Sequence, residues 1–380
     1  MAGNHTRRRL LRRSALATAV LGLAVAGAGS LGVDAAVAAP PTCTPNVDGS
    51  GLSAAVVASS GQEIANHTIN AASCDIGIYV GVGVSNVTIR SVTVEGANFQ
   101  GIFAQDASYV TIEHSTITDN AFGTIDPNVP PLPGSGVQSL VGQAFAISLF
   151  GVSHSTVSDN TVYNNGRGGI GVMDNGPNDP GTILQNASAP LSSSSYDTVT
   201  GNREWANYNG CAIVAATQNF GGSLSHLLIA DNRITGTQTN FGEIGANGAD
   251  VGGIVVAADP PASSVTDAVV SENSVSSSFE GGVIVNAEAF DSFTQSVYVL
   301  GNQVSGNNWG AQEAPNTAGI VVYANPGAVP PGASAPQNID TVVAGNHASD
   351  QFYGIWSLGS NPFVFGNHIK VTAGGTPIAG

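Results

Sequence analysis

The sequence predicts a β-solenoid, one domain of short strands that stack coil upon coil. Three observations predict it. A small residue followed by a short β-branched strand recurs nine times, as in Gly169-Ile170-Gly171-Val172 and Gly319-Ile320-Val321-Val322. An asparagine recurs at a fixed place between those copies. The 380 residues include 49 Gly, and 42% are hydrophobic while only 9% are charged. So apolar a chain is not disordered. The scarcity of Lys, Glu and Leu excludes helical bundles, and the glycines lack the third-residue period of collagen.

Taken in order, the chain opens on the three-part layout of an export signal. A basic run, Thr6-Arg7-Arg8-Arg9-Leu10-Leu11-Arg12, precedes the apolar stretch Ala15–Val33, and Ala36-Val37-Ala38 offers a small-residue cleavage site. The basic run resembles the bacterial twin-arginine signal, which implies export of an already folded protein. An ordinary secretory signal and an uncleaved anchor are the alternatives. Residues 1–38 are therefore expected to be removed. The product would be secreted or held at the bacterial cell surface, with no stable membrane insertion.

Removal changes the charge. The chain holds 10 basic and 26 acidic residues, and five of the former and one of the latter lie before residue 39. The remainder carries 5 basic and 25 acidic residues, a formal −20. No basic footprint is left for nucleic acid. A polysaccharide is the expected partner. No cofactor is evident, although an acidic glycan would need Ca²⁺ to bridge the charge.

Residues 39–74 read as an N-terminal cap, with one short amphipathic helix in Gly51–Gly61. Cys43 and Cys74 fall in this segment. An exported chain admits a bridge between them, which would staple the cap, and two free thiols are the alternative. Cys211 reads as a core residue. No Cys/His spacing suggests a zinc site, and the sequence names no metal ligands.

Residues 75–380 read as the solenoid. Its strands begin at Gly77, Gly101, Ala146, Gly169, Cys211, Gly253, Gly282, Gly319 and Gly354. The shortest interval is 23 residues, Ile147 to Ile170, and the longest is 45, Ile102 to Ile147. A coil of about that shortest length with variable insertions fits. Asparagines align at 160, 202, 232, 273, 302, 346 and 367, with Val92 and Ser115 in that place earlier. Buried asparagines need partners, and stacked copies supply them to one another. No further strand start follows Phe365, so Lys370–Gly380 is expected to cover or fray from the last edge.

The Asn-x-Ile/Val and Gly-Gly-Ile-x-Val pattern resembles the right-handed parallel β-helix repeats of the pectate-lyase-like superfamily. The resemblance spans residues 75–370. It implies an all-β, right-handed parallel β-helix of about nine rungs, a rod roughly 40 to 45 Å long. The acidic-sugar lyases of that superfamily carry Ca²⁺-holding carboxylates and basic residues on the outer face of the repeated strand. Here alternation gives that face Tyr79, Phe103, Ser148, Gly171, Ile213, Val255, Ile284, Val321 and Trp356. The next row includes Gln105, Phe150, Met173, Asn286, Tyr323 and Leu358. This apolar face is covered by loops, or stacks sugar rings through Tyr79, Phe103, Tyr323 and Trp356. The polygalacturonase motifs Asn-Thr-Asp, Asp-Asp, Gly-His-Gly and Arg-Ile-Lys are missing. Phe122–Asn128 resembles the Tyr-Gly-x-Asp-Pro-His motif of alginate epimerases, but Asn128 replaces the His, so its proton-transfer role is not carried over.

Two sets of candidate site residues remain. Asp174, Asp259 and Glu288 stand where the repeated strands end, beside Asp106, Asn175 and Asn325. With Tyr323 and Trp356 they are the candidate substrate-binding residues. Asp174 and Asp259, on non-adjacent rungs, could pair in glycoside hydrolysis. The second set lies six residues before each ladder position: Tyr109, His154, Tyr196, His226, Asp267, Ser296 and Asp340. His226 and Asp267 fall on adjacent rungs, and a His beside a carboxylate can act as general acid or base. His226, Asp267, His154 and Tyr196 are therefore the catalytic candidates. Turn-forming polar residues occupy such rims without chemistry too. Arg203 and Arg233 read as surface ion pairs with Glu204, Asp231 and Glu272, or as a carboxylate clamp. The functions in play are carbohydrate binding, a polysaccharide lyase, hydrolase or epimerase, and an adhesive rod that trimerises.

Overall fold

The computed structural model describes residues 42–121, 145–176, 190–208, 210–237, 252–278, 280–307, 318–324 and 329–379. They belong to the compact unit Pro40–Gly380. The expected signal, Phe122–Asn128, and most of the loops Thr124–Gln143, Asp174–Ser195 and Gly236–Val251 lie outside the described residues.

Apart from a 3-10 turn at Val47–Gly49, every regular element described is a β-strand. The strands pair in parallel, each with its counterpart one coil away. One coil illustrates the path. Ile213–Thr217 forms the first face, Ser223–Ser225 and Leu228–Ala230 the second, and Arg233–Thr235 the third. Single residues in the left-handed region turn the two corners of the second face, His226 at φ 55 and Asp231 at φ 56. The chain then starts the next coil at Ile254–Ala258.

Strand alternation decides what the coil encloses. On the first face Ile78, Ile102, Ile147, Ile170, Ile213, Ile254, Val283, Ile320 and Ile355 point inward and form one continuous core. Each short strand buries little alone, and stacking gives every inward side chain a neighbour above and below.

The asparagine ladder closes the second corner. Each Asn side-chain oxygen accepts the backbone N–H of the preceding rung's asparagine, from Asn160–Asn202 at 3.0 Å to Asn346–Asn367 at 2.9 Å. Ser115 donates its N–H to Asn160, and its hydroxyl accepts from Val92 N–H at 3.2 Å. Each asparagine amide also donates to a strand carbonyl of the preceding coil, as Asn232 does to Val199 at 2.9 Å. A second, shorter ladder closes the third face through Asn120, Asn165 and Asn207. The sequence reading missed it because Thr237 and Ser278 interrupt the asparagines.

Three expectations are corrected. The N-terminal segment is already a coil: Ala54–Val57, Glu63–Ala65 and Thr68–Asn70 pair with the strands of the following turn. No helix forms in Gly51–Gly61, because Ala54–Val57 lies in strand register on Ile76–Val80. Cys43 and Cys74 form a disulfide with Cα atoms 5.6 Å apart, joining the segment before this coil to the start of the next. At the other end His368–Ala379 is a strand, pairing with His347–Leu358 as far as Trp356↔Ala379. The segment lacks the Gly-Ile-x-Val start of the earlier strands, so the sequence pattern did not show it. Pro377 fits here because it lies on the outermost described strand, where no ladder donor is needed. Finally, Gly171 registers with Val214, not Ile213. Ala212, rather than Cys211, opens that strand in register, so Ile213 is inward and Val214 outward.

Candidate functional site

The outer surface of the first face is apolar but largely closed. Tyr79, Phe103, Phe150, Met173 and Val321 are each at most 2% exposed. Asp48 clips down one end, accepting from the Tyr79 hydroxyl at 2.8 Å and from Val82 N–H at 3.0 Å. Phe145 packs over Gly171, where a Cβ would stand 2.5 Å from the Phe145 ring. Tyr323 and Trp356 stay half-buried at the other end with ring centroids 6.1 Å apart. Of the four rings weighed for sugar stacking, only these two retain accessible surface.

The carboxylates at the strand ends do not converge. Asp174 is fully buried, and its two oxygens accept the backbone N–H groups of Gln218 and Asn219. Burial pushes its carboxyl up to about 6, against the pull of those bonds. Asp106, two coils away, accepts from Ser192 Oγ and from Asn175 Nδ2 at 2.8 Å, and burial raises it too. Asp259 belongs to the turn beyond the next coil, where its N–H donates to Thr217 Oγ1 at 3.2 Å. Among the described residues, Asp174 and Asp259 are held by different partners. Glu288 accepts from Asn286 Nδ2 at 2.5 Å. Of these carboxylates, Asp174 is the one whose oxygens satisfy loop backbone amides.

The corner row does converge. Tyr109, His154, Tyr196, His226, Asp267, Ser296 and Asp340 all adopt positive φ, between 51 and 59. They form the first corner of the second face on successive coils, because the flanking strands pair in register. Coil spacing of about 4.8 Å suits stacked rings. Centroids are 5.0 Å apart from Tyr109 to His154, 4.9 Å from His154 to Tyr196, and 4.4 Å from Tyr196 to His226. His226 Nδ1 then lies 3.7 Å from Asp267 Oδ2. The column is exposed, with Tyr109 and Tyr196 each 53% accessible. Ring faces are taken by neighbours, so edges, hydroxyls and imidazole nitrogens face solvent. His226 is the member of the stack whose imidazole faces a carboxylate on the next coil.

Two buried carboxyls lie close by in the chain, and the sequence reading did not single them out as such. Asp197 follows Tyr196 and points inward. Its Oδ1 accepts Ser155 N–H at 2.8 Å, while Oδ2 has no hydrogen-bond partner among the described residues. Burial pushes it up to about 8. Glu204, expected on the surface beside Arg203, instead occupies the inward row between Val162 and Ile234. It is 1% exposed, neither oxygen has a hydrogen-bond partner among the described residues, and burial drives its carboxyl well above the usual range. Alternation along Arg203-Glu204-Trp205 was the signal that could have revealed it. Arg203 and Arg233 are accordingly not ion-paired among the described residues.

Among the described residues no group of three or more His, Cys, Asp or Glu side chains could hold a metal ion. No curated protein matches the chain in sequence. Among solved structures, a surface adhesin of Streptococcus pneumoniae, PfbA, is similar with a TM-score of 0.50 and 11% identity, over 86% of this chain and 84% of that one. The mannuronan C-5 epimerase A-module of Azotobacter vinelandii is similar at 14% identity and TM-score 0.42, over 85% and 80%. A polygalacturonase from Erwinia carotovora is similar at 11% identity and TM-score 0.43, over 86% and 85%. At such identities the likeness is one of fold. The family described as "Right handed beta helix region" matches residues 47–376, and with that span the chain belongs to the right-handed β-helix family.

Proposed function

We propose that this is an exported β-helix protein that binds carbohydrate outside the cell, with the Tyr109–His154–Tyr196–His226–Asp267 column as its contact surface. The observation that carries the reading is that four half-exposed rings stand in line on four consecutive coils. A polymer laid along the axis would meet hydroxyl and imidazole edges at every step. Tyr and His suit this, presenting an apolar body with a polar tip. A polysaccharide is the partner that repeats in the same way.

A second reading, a lyase, hydrolase or epimerase, is favoured by the His226–Asp267 contact at 3.7 Å, since such a pair can move a proton. The similar proteins named above include an epimerase, a polygalacturonase and an adhesin, so the fold does not choose between catalysis and binding.

The test uses the purified chain with a panel of neutral and acidic polysaccharides, with Ca²⁺ and with chelator. Retention of one glycan, weakened about tenfold or more by Tyr196→Ala with an unchanged melting temperature, supports binding at the column. Unsaturated fragments in mass spectrometry would indicate a lyase, and water-added fragments a hydrolase. Their loss in His226→Ala or Asp267→Ala would place the chemistry at the pair. Retention of no glycan, with no fragments released, would overturn the carbohydrate reading. N-terminal sequencing of exported protein tests the signal, with Ala39 the expected first residue.

A further inference from the structure

The third face carries a second feature. Arg203 and Arg233 are register partners on adjacent coils, and both are exposed. Like charges placed opposite each other repel, and neither guanidinium is ion-paired among the described residues. The formal net charge of the whole chain is −16, so two unneutralised cations side by side are out of keeping with their surroundings. Glu204, between Arg203 and Trp205, faces inward and leaves the arginines alone. Two residues along each strand lies an aromatic stack, Tyr163 on Trp205, with centroids 4.7 Å apart and planes 8° from parallel. The stack then stops. Thr235 is the register partner of Trp205 on the next coil, and it is too small to continue the stack. Where a third ring would lie there is an open depression of about 520 Å³ lined by Arg203, Trp205, Ala206, Arg233, Thr235 and Gly236, together with Glu204, itself 1% exposed.

We propose that Arg203, Arg233 and Trp205 form a binding subsite for a sugar ring that carries an anionic group. The ring takes the vacant place over Thr235 and packs on the free face of Trp205. Its anionic group meets the two guanidiniums, whose planar forks suit carboxylate and sulfate oxygens. Gly236 and Ala206 keep the floor low enough for a pyranose to enter. Aromatic face plus paired cations selects a charged sugar over a neutral sugar and over a small anion alone. This face is distinct from the corner column, and each site can fail while the other stands.

The experiment measures binding of tri-galacturonate, sulfated galactotriose and galactotriose to the full chain by calorimetry and by tryptophan fluorescence, at low and high salt. The expected result is at least about tenfold tighter binding of the anionic trisaccharides than of galactotriose, weakened by salt. The two anionic probes separate carboxylate from sulfate as the preferred group. Arg203→Gln with Arg233→Gln should remove that preference, and Trp205→Ala should weaken binding of all three probes. Thr235→Trp should fill the vacant place and block binding with both arginines intact. Equal binding of charged and neutral probes, or anion binding that survives either the double arginine variant or Thr235→Trp, would overturn the subsite.

Discussion

Two columns of polar side chains lie beneath the corners of the second face, and only one of them is complete. Under the second corner, asparagines follow one another from Asn160 to Asn367, and each side-chain oxygen and amide finds a partner on a neighbouring coil. Under the first corner the corresponding column holds Ser155 and Asp197 and then ends at Leu227. Asn232 and Asp197 are 1% and 2% exposed. Their environments differ in what the next coil supplies. The asparagine is neutral, and it donates and accepts, so a repeat of itself satisfies it. An ionised carboxylate only accepts, and no repeat of it follows. It therefore holds its proton instead, which is why burial raises Asp197 and Glu204 but leaves the ladder uncharged. Periodic burial of a polar group is inexpensive only when the group complements itself.

The largest effect that would sharpen this contrast is expected at the ladder. Asn232→Ala removes the acceptor for Asn202 N–H and the donor to Val199 C=O. Each orphaned buried group costs about 1–3 kcal/mol, so denaturant titration should show a loss of about 3 kcal/mol or more. A loss below about 1 kcal/mol would mean the ladder is decoration and would break the comparison.

Asp197→Asn should act in the opposite direction and only at certain pH. Burial pushes the folded carboxyl up to about 8, from the ordinary 3.8. Across that window the native state binds more protons than the unfolded chain, so stability falls as pH rises. Asn keeps an oxygen for Ser155 N–H and carries no charge. Melting curves should show no gain near pH 4 and a gain of a few kcal/mol near pH 8. An equal gain at both ends would point to packing instead of charge.

Glu204→Leu should give the smallest of the three effects, a stabilisation of about 1–3 kcal/mol at neutral pH. Leucine continues the apolar row of Val162 and Ile234, and the space beside Gly169 that now holds the carboxylate receives its methyl groups. Destabilisation in chemical denaturation would show that Glu204 is held by something more than the alternation of its strand.

The second-face corners were legible in the sequence because a left-handed turn and a self-satisfying side chain leave a fixed spacing. The asparagines and the row from Tyr109 to Asp340 could therefore be aligned before any coordinates. Ile213 was misassigned because Cys211 and Ala212 are both small, and a one-residue slip reverses every side chain. Glu204 was misread because a charged residue between two exposed ones looks like surface until its strand partners, Val162 and Ile234, are known.

What the sequence alone determined is the solenoid itself, since β-branched strands of three to five residues at these intervals can bury their side chains only by stacking. It also determined the order of the corner residues. Which faces are covered was decided only in three dimensions. Phe145 and Asp48 close the first face from segments outside its strands, the Cys43–Cys74 bridge ties down the first coil, and the stack on Trp205 stops at Thr235. Those outcomes depend on contacts between residues far apart in the chain, and a local repeat carries no record of them.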